Sequence, residues 1–254
     1  MSEWNAEQYL KFKKQRTQPA IDLANRLIKY KANKILDIGC GPGNSTAVLA
    51  DIFPNAHILG VDSSDHMIKK AAITYPDILF RLCDVTSELD KLDSYDIIFS
   101  NACLQWIPNH EKFIPELMNK LNPGGVLAVQ IPMNGQENLF KIVDRVVKET
   151  KWRFALAEET NGTLLPEEYF DILADCSKSF DIWETVYYHN MPTIQAMLEW
   201  VKGTRLKPYL DVLDNNMAEE LEQEILRLAA DAYSSQRNGE IIFKFRRLFF
   251  TAVK

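Results

Sequence analysis

The stretch Ile35-Leu36-Asp37-Ile38-Gly39-Cys40-Gly41-Pro42-Gly43-Asn44 decides how this chain is read. An apolar run broken by one acid leads into alternate glycines, the pattern of a buried strand that opens into a tight turn. Gly39, Gly41 and Gly43 free the main chain from Cβ clashes and let a ligand lie directly on the backbone. Ser45 to Ile52 then have helical spacing, so the free N–H groups at the start of that helix face whatever sits on the turn.

The glycine spacing chooses between ligand classes. A dinucleotide fingerprint, G-x-G-x-x-G, would need its third glycine at position 44, where this chain has Asn44. Asp37, two residues before the first glycine, would repel a pyrophosphate and suits a cationic group instead. With this G-x-G-x-G turn and its acid, the chain resembles the class I S-adenosylmethionine-dependent methyltransferases, in which the equivalent acid lies near the ammonium end of the cofactor. That resemblance implies a Rossmann-like α/β fold.

Length and composition are compatible with one large α/β domain carrying an insertion: 254 residues, 46% hydrophobic and 25% charged. A formal charge of −6 argues against nucleic acid or an anionic membrane as the main partner. Cys40, Cys83, Cys103 and Cys176 form no C-x-x-C pair and no zinc spacing, so free thiols and no metal are expected. The N-terminus starts Met-Ser-Glu-Trp without a basic apolar leader, and no run approaches the ~20 apolar residues of a membrane span. A cytoplasmic location is the expectation; nothing in the sequence sets the oligomeric state.

Going outward from the turn, Ala6 to Arg16 form an amphipathic segment with a basic side, and Pro19 to Tyr30 have helical spacing with Pro19 near the start. Downstream, Ala56 to Asp62 read as a second buried strand whose last residue lies nineteen positions beyond Gly43, one βαβ unit away. A carboxylate at that tip can accept both hydroxyls of a ribose, so Asp62 is the expected ribose ligand; its other reading, a helix N-cap, is already offered by Ser63, Ser64 and Asp65. Met67 lies where it either packs on an adenine or belongs to the core. Ile78 to Cys83 form a third strand and Tyr95 to Ser100 a fourth. Because ligands of open α/β sheets bind beyond the carboxyl ends of the strands, Asn101 to Trp106 should face the reacting group. The turn Asn122-Pro123-Gly124-Gly125 stops a helix before a fifth strand, Val126 to Ile131.

Beyond Pro132 the pattern changes. Gln136 to Trp152 and Glu167 to Ala174 have helical spacing around an Asn161-Gly162-Thr163 loop, and Phe180 to Tyr188 alternate as a sixth strand. Residues 193 to about 235 are helical, and Arg247 to Val253 close the sheet as the seventh strand. The connection of about 50 residues between strands six and seven exceeds an ordinary loop, so a helical cap over approximately 193–240 is expected on a single domain of 1–254. The fold expected is a doubly wound, seven-stranded, mostly parallel sheet with that cap.

The class I resemblance adds further roles. Arg16 would close over the cofactor's carboxylate, Asp84 would sit beside the adenine amino group, and Ser63 and Asn101 would complete the cofactor site. More particular motifs narrow the family: Trp4-Asn5 with Tyr9-Leu10, Ile38 to Thr46, Leu104-Gln105-Trp106-Ile107-Pro108, Tyr187-Tyr188-His189-Asn190-Met191-Pro192 and Arg247-Leu248-Phe249. Together they resemble the bacterial trans-aconitate 2-methyltransferases over nearly the whole chain. The motif match is poorest around Gly135 to Leu165, and Cys103 stands where serine is expected.

What the resemblance implies is monomethyl esterification of a small tricarboxylic acid, with S-adenosylmethionine as cofactor. A carboxylic acid of pKa about 4 is already ionised at neutral pH, so no general base is required. Gln105 and Trp106 would align the acceptor, with core packing as the rival reading for Trp106. For a tricarboxylate, Arg247 is the preferred cation, ahead of Arg246 and Arg205, with a surface arginine covering the sheet edge as its other reading. His189 is either a carboxylate contact or structural, and alternation sends Tyr187 and Tyr188 to opposite faces. Other acceptors on the same fold, such as a long-chain acid or a biotin-pathway thioester, and a cofactor-binding regulator without activity stay open.

Overall fold

The computed structural model describes residues 13–149, 151–152, 162–203 and 205–254, without the side chains of Lys13, Lys14 and Arg16. The expected Arg16 contact thus lies outside the described residues, as do Trp4, Asn5, Tyr9, Leu10 and Asn161. Helix α1 (Lys13–Asn25) leads into β1 (Lys34–Ile38), α2 (Asn44–Ile52), β2 (His57–Asp62), α3 (Asp65–Thr74), β3 (Leu79–Leu82), the short α4 (Val85–Glu88) and β4 (Tyr95–Asn101). There follow α5 (His110–Asn119), β5 (Leu121–Pro132), α6 (Asn138–Val147), α7 (Pro166–Cys176), β6 (Ser179–Met191), α8 (Ile194–Lys202), α9 (Lys207–Leu210), α10 (Asn215–Ala232) and β7 (Ile241–Val253).

The seven strands form one sheet in the order β3-β2-β1-β4-β5-β7-β6. Pairs β1–β2, β1–β4, β2–β3 and β4–β5 are parallel, and β5–β7 is antiparallel. Strands β1 and β4 are central and almost fully buried, as their near-continuous apolar runs require in a sheet covered on both faces. The order reverses at β1, which places the turn after it at the topological switch point where such sheets bind ligands.

Several boundaries differ from the sequence reading. Pro19 is the seventh residue of α1, inside the helix, where it removes a hydrogen bond that a position at the start would not have cost. Strand β5 begins at Leu121, so Asn122 to Gly125 belong to it as an irregular first turn with Gly124 at φ 76° and a register shift opposite Tyr95 and Ile97. The helix expected over Gln136 to Trp152 spans only Asn138–Val147. Strand β7 starts six residues earlier than expected, because Ile241, Phe243 and Phe245 alternate inward against exposed Ile242, Lys244 and Arg246.

Two compact units divide the chain. The sheet unit comprises Lys13–Pro132, Thr160–Thr185 and Arg247–Lys254. The helical unit comprises the described residues within Met133–Glu159 and Val186–Arg246. Its described part holds α6, α8, α9 and α10 around a core of Leu139, Val143, Trp152, Trp200, Phe243 and Phe245. The segment 193–240 lies entirely within it. No helix among the described residues is long and apolar enough to cross a membrane.

Candidate active site

The glycine turn hangs from the tip of β2. The N–H groups of Gly39 and Cys40 both donate to the Val61 carbonyl, at 2.8 and 3.0 Å. Asp62 then braces the turn with its side chain: Oδ2 accepts from the Gly41 N–H at 2.9 Å and Oδ1 from the Ser64 N–H at 2.9 Å. All three glycines have positive φ, at 68, 54 and 90°. At Gly39 a Cβ would also overlap the Cys103 side chain, whereas at Gly41 it would meet nothing within 4 Å among the described residues. The turn is therefore packed on one side and open on the other.

Asp37 lies beneath the turn, fully buried. Its Oδ2 accepts from Ser45 Oγ and Thr46 Oγ1, both at 2.7 Å, which ties the start of α2 to β1 where the N-cap, Gly43, has no side chain to do so. Burial pushes its carboxyl up to about 7, against the lowering effect of the two hydroxyls. Burial also raises Asp62, opposed by its two backbone N–H donors. The remaining Asp37 oxygen, Oδ1, has no hydrogen-bond partner among the described residues.

Farther along the same edge, Ser64 and not Asp62 caps α3, accepting from the Met67 N–H, and Ser63 is exposed. Met67 is buried on the inner side of α3. Asp84 caps α4, its Oδ1 accepting from Thr86 N at 3.0 Å and Thr86 Oγ1 at 2.7 Å. Asp62, the last residue of β2, and Asp84, just past the end of β3, thus lie at the carboxyl ends of neighbouring parallel strands.

Past β4 the chain enters a loop that the sequence reading placed at the reacting group. Ala102 is left-handed at φ 55°, Gln105 Nε2 donates to the Ala102 carbonyl at 2.8 Å, and Trp106 is 39% exposed, which excludes the core reading. Asn101 Oδ1 and Gln105 Oε1 are buried without partners among the described residues. Burial drives the Cys40 and Cys103 thiols upward, so both stay neutral.

Two residues that the sequence reading passed over hold this loop. His110 at the start of α5 contacts the Leu104 carbonyl through Nε2 at 2.8 Å and Tyr169 Oη through Nδ1 at 2.6 Å. A carbonyl only accepts, so Nε2 carries the proton and Nδ1 accepts from the phenol, which in turn accepts from Leu164 N at 3.3 Å. Desolvation lowers the His110 pKa and keeps the ring neutral. From the other side, the Gly162 N–H donates to the Gln105 carbonyl at 3.0 Å, and a Cβ at Gly162 would collide with the Ile107 carbonyl. Sequence gave no signal for a contact between positions 59 residues apart.

The expected acceptor residues fall into both units. Arg247 belongs to the sheet unit, is only 6% exposed and lies opposite Pro132 of β5, so it is not a surface arginine. Tyr187, Tyr188 and His189 belong to the helical unit. There His189 stacks on Trp200 at 4.9 Å and against Tyr187 at 6.4 Å, while Tyr188 is exposed beneath Lys244. The two tyrosines do take opposite faces. Arg205 is engaged by Asp144 through Nε at 2.9 Å and Nη2 at 2.5 Å, which removes it as a candidate cation. Arg246 is exposed, and its backbone N–H bonds Asn134.

This geometry joins a glycine turn at a switch point, acids at the carboxyl ends of β2 and β3, and a loop beyond β4 whose buried acceptor oxygens have no partner among the described residues. A family model described as a methyltransferase domain matches residues 29–197. A trans-aconitate 2-methyltransferase of Variovorax paradoxus (strain S110) is 37% identical over 257 residues, covering 100% of this chain and 99% of that protein. The chain belongs to the trans-aconitate 2-methyltransferase family. Two further members of the family, from Escherichia coli (strain K12 / DH10B) and Rhodopseudomonas palustris (strain BisB5), are each 38% identical, over 99% and 100% of this chain and 98% and 100% of their own lengths. Among solved structures, the YcgJ protein of Bacillus subtilis shares the fold with a TM-score of 0.57 at 14% identity, over 93% of this chain and 98% of that one. Phosphoethanolamine N-methyltransferase 2 of Haemonchus contortus, bound to phosphomonomethylethanolamine and S-adenosylhomocysteine, gives 0.55 at 18% identity over 93% of this chain and 52% of that one. At such identities these two carry the fold alone.

Proposed function

We propose that this protein methylates one carboxylate of trans-aconitate, with S-adenosylmethionine as methyl donor, to give the monomethyl ester. The observation that carries the reading is the open glycine turn braced by Asp62 together with acceptor oxygens of Asp37, Asn101 and Gln105 that have no partner among the described residues. Such a set suits a ligand that brings positive charge and hydrogen-bond donors, and it is unsuited to a pyrophosphate. The donor supplies an electrophilic methyl group on a sulfonium centre.

The chain's own residues would act as follows. Gly39, Gly41 and Gly43 form the floor, Asp62 accepts the ribose hydroxyls with the lone pairs left over from its two backbone bonds, and Asp84, Ser63 and Met67 border the base. Asp37 and Asn101 offer oxygens to an ammonium group, and Arg16 is assigned to the cofactor's carboxylate. Gln105 and Trp106 line the acceptor side, with Arg247 as the cation for a carboxylate. His110 is no candidate base, since both ring nitrogens are committed to Leu104 and Tyr169. An acceptor that arrives ionised needs none, so the chain's contribution is alignment to within about 3 Å and removal of water.

The test is transfer of labelled methyl to trans-aconitate, with cis-aconitate, citrate and a fatty acid as rival acceptors. Rapid labelling of trans-aconitate above the others is expected. Cofactor binding without any such labelling overturns the acceptor and leaves the cofactor site standing.

A further inference from the structure

Gln130 is the polar side chain that neither the fold nor the residues assigned so far explain. It lies on β5 in the sheet unit, with no exposed surface, and neither Oε1 nor Nε2 has a hydrogen-bond partner among the described residues. Its backbone is spoken for: the residue is in register with Asn101 of β4 and Phe249 of β7, and its carbonyl accepts from the Ala102 N–H at 3.0 Å. The side chain alone is left over. A buried carboxamide without partners destabilises the protein that carries it, and buried polar groups are nearly always satisfied. Its strand neighbours Ala128, Val129 and Ile131 are buried and apolar, so a leucine or methionine here would avoid that penalty at similar volume.

The surroundings say what would satisfy it. Residues directly opposite in a sheet share a face, so Gln130 projects on the same side as Asn101 and Phe249, with Arg247 next along β7 on that side. Asn101 itself has a buried Oδ1 without a partner among the described residues, and Arg247 is buried. On the far flank Trp183 stacks on Phe249 at 5.3 Å and 9°, closing that side with an aromatic wall. An amide with two N–H donors and a buried guanidinium on adjacent strands form the recognition set for a carboxylate, at the ligand-binding end of the sheet.

We propose that Gln130 is a specificity-determining residue whose Nε2 donates to a carboxylate of a bound ligand. This rests on the functional reading above for the identity of the ligands, which offer two sources of that group: a carboxylate of the acid acceptor that is not methylated, and the amino-acid carboxylate of S-adenosylmethionine. The buried amide is satisfied only in the complex, so the free protein carries its cost and the ligand removes it.

The test uses the full chain with Gln130→Met, and Gln130→Leu should the first variant fail to fold. Thermal melts without ligand are expected to be unchanged or raised, because an unpartnered buried amide has been removed. Ligand affinity is expected to fall about tenfold or more, the loss of one charge-assisted hydrogen bond. If the acceptor is the source, KM for trans-aconitate, or the thermal shift produced by trans-aconitate and citrate where no turnover is seen, carries that loss while the calorimetric affinity for S-adenosylmethionine stays within about twofold. If the cofactor is the source, affinity for S-adenosylmethionine falls while that for its decarboxylated analogue is unchanged. The proposal is overturned by full affinity for all ligands, or by a lowered melting temperature with equal loss toward the decarboxylated analogue, which marks a structural residue. Wild-type protein that binds ligands but labels no trans-aconitate removes only the functional reading, because the melts and titrations still judge Gln130.

Discussion

The glycine turn and the β4–β5 end of the sheet, both assigned above to ligand binding, differ in how far their polar groups are already engaged. At the turn, the groups that shape it are already engaged: Asp62 spends an oxygen on Gly41 and another on Ser64, and Val61 accepts twice. At the β4–β5 end, Asn101, Gln105 and Gln130 each keep buried polar atoms without partners among the described residues. The difference separates shape from recognition. A turn that must fit a backbone-hugging ligand is preorganised by internal bonds, whereas a surface that must choose a ligand keeps its hydrogen-bonding capacity uncommitted until the ligand arrives.

The largest effect should come from breaking the preorganised half. Gly39→Ala puts a Cβ into the Cys103 side chain on a backbone at φ 68°. Overpacking and left-handed strain together cost about 2–5 kcal/mol of stability, and cofactor binding should disappear with the turn's shape. Urea titration and calorimetry measure the two. Adding Cys103→Gly to the same chain removes the colliding atoms but not the strained backbone, so it should restore only the packing part. Full restoration would show that φ at Gly39 is irrelevant to the turn.

Asp37 straddles the two halves, with Oδ2 engaged and Oδ1 left over, and its titration sharpens the comparison. Its carboxyl is ordinary, near 3.8, when unfolded and is held at about 7 in the folded protein, chiefly by burial. The folded state therefore keeps a proton that the unfolded state has released, so the stability Asp37 contributes is complete below about pH 4 and is lost as pH rises toward 7. At about 1.4 kcal/mol per unit, the loss is at most about 4 kcal/mol. Asp37→Asn imitates the protonated form, and its stability measured from pH 4 to 8 should fall less steeply than that of the wild type. Parallel curves would mean that Asp37 titrates normally in the folded chain.

How much of this was legible from the residues depends on whether a group's role is local. The turn could be read because alternate glycines report their own backbone, and the position of Asp62 at the end of β2 because a strand tip one βαβ unit away has a fixed place in such a sheet. The start of β7 was missed although Ile241, Phe243 and Phe245 alternate clearly, since the long helical connection was read as running up to it. Gln130 was hidden inside the apolar run Val126 to Ile131, where sequence shows that a residue is polar but not that it lacks a partner. Arg205 failed as a candidate for the converse reason: Asp144, which claims it, lies 61 positions away.

The smallest effect probes the loop between the two halves. Tyr169 Oη joins Leu164 N–H to His110 Nδ1, and His110 in turn holds the Leu104 carbonyl next to Gln105. Tyr169→Phe keeps the ring packed against Phe250 but leaves a buried imidazole nitrogen and a backbone N–H short of a partner. The expected cost is about 1–3 kcal/mol of stability. What makes the variant informative is where the remaining loss falls. Among the described residues the hydroxyl bonds His110 and Leu164 and not the glycine turn or Asp62, so cofactor affinity should stay within about twofold while KM for the acid acceptor rises. Were cofactor affinity to fall in step with acceptor affinity, the loop and the turn would be one cooperative unit, and the division between a shaped half and a recognising half would not hold.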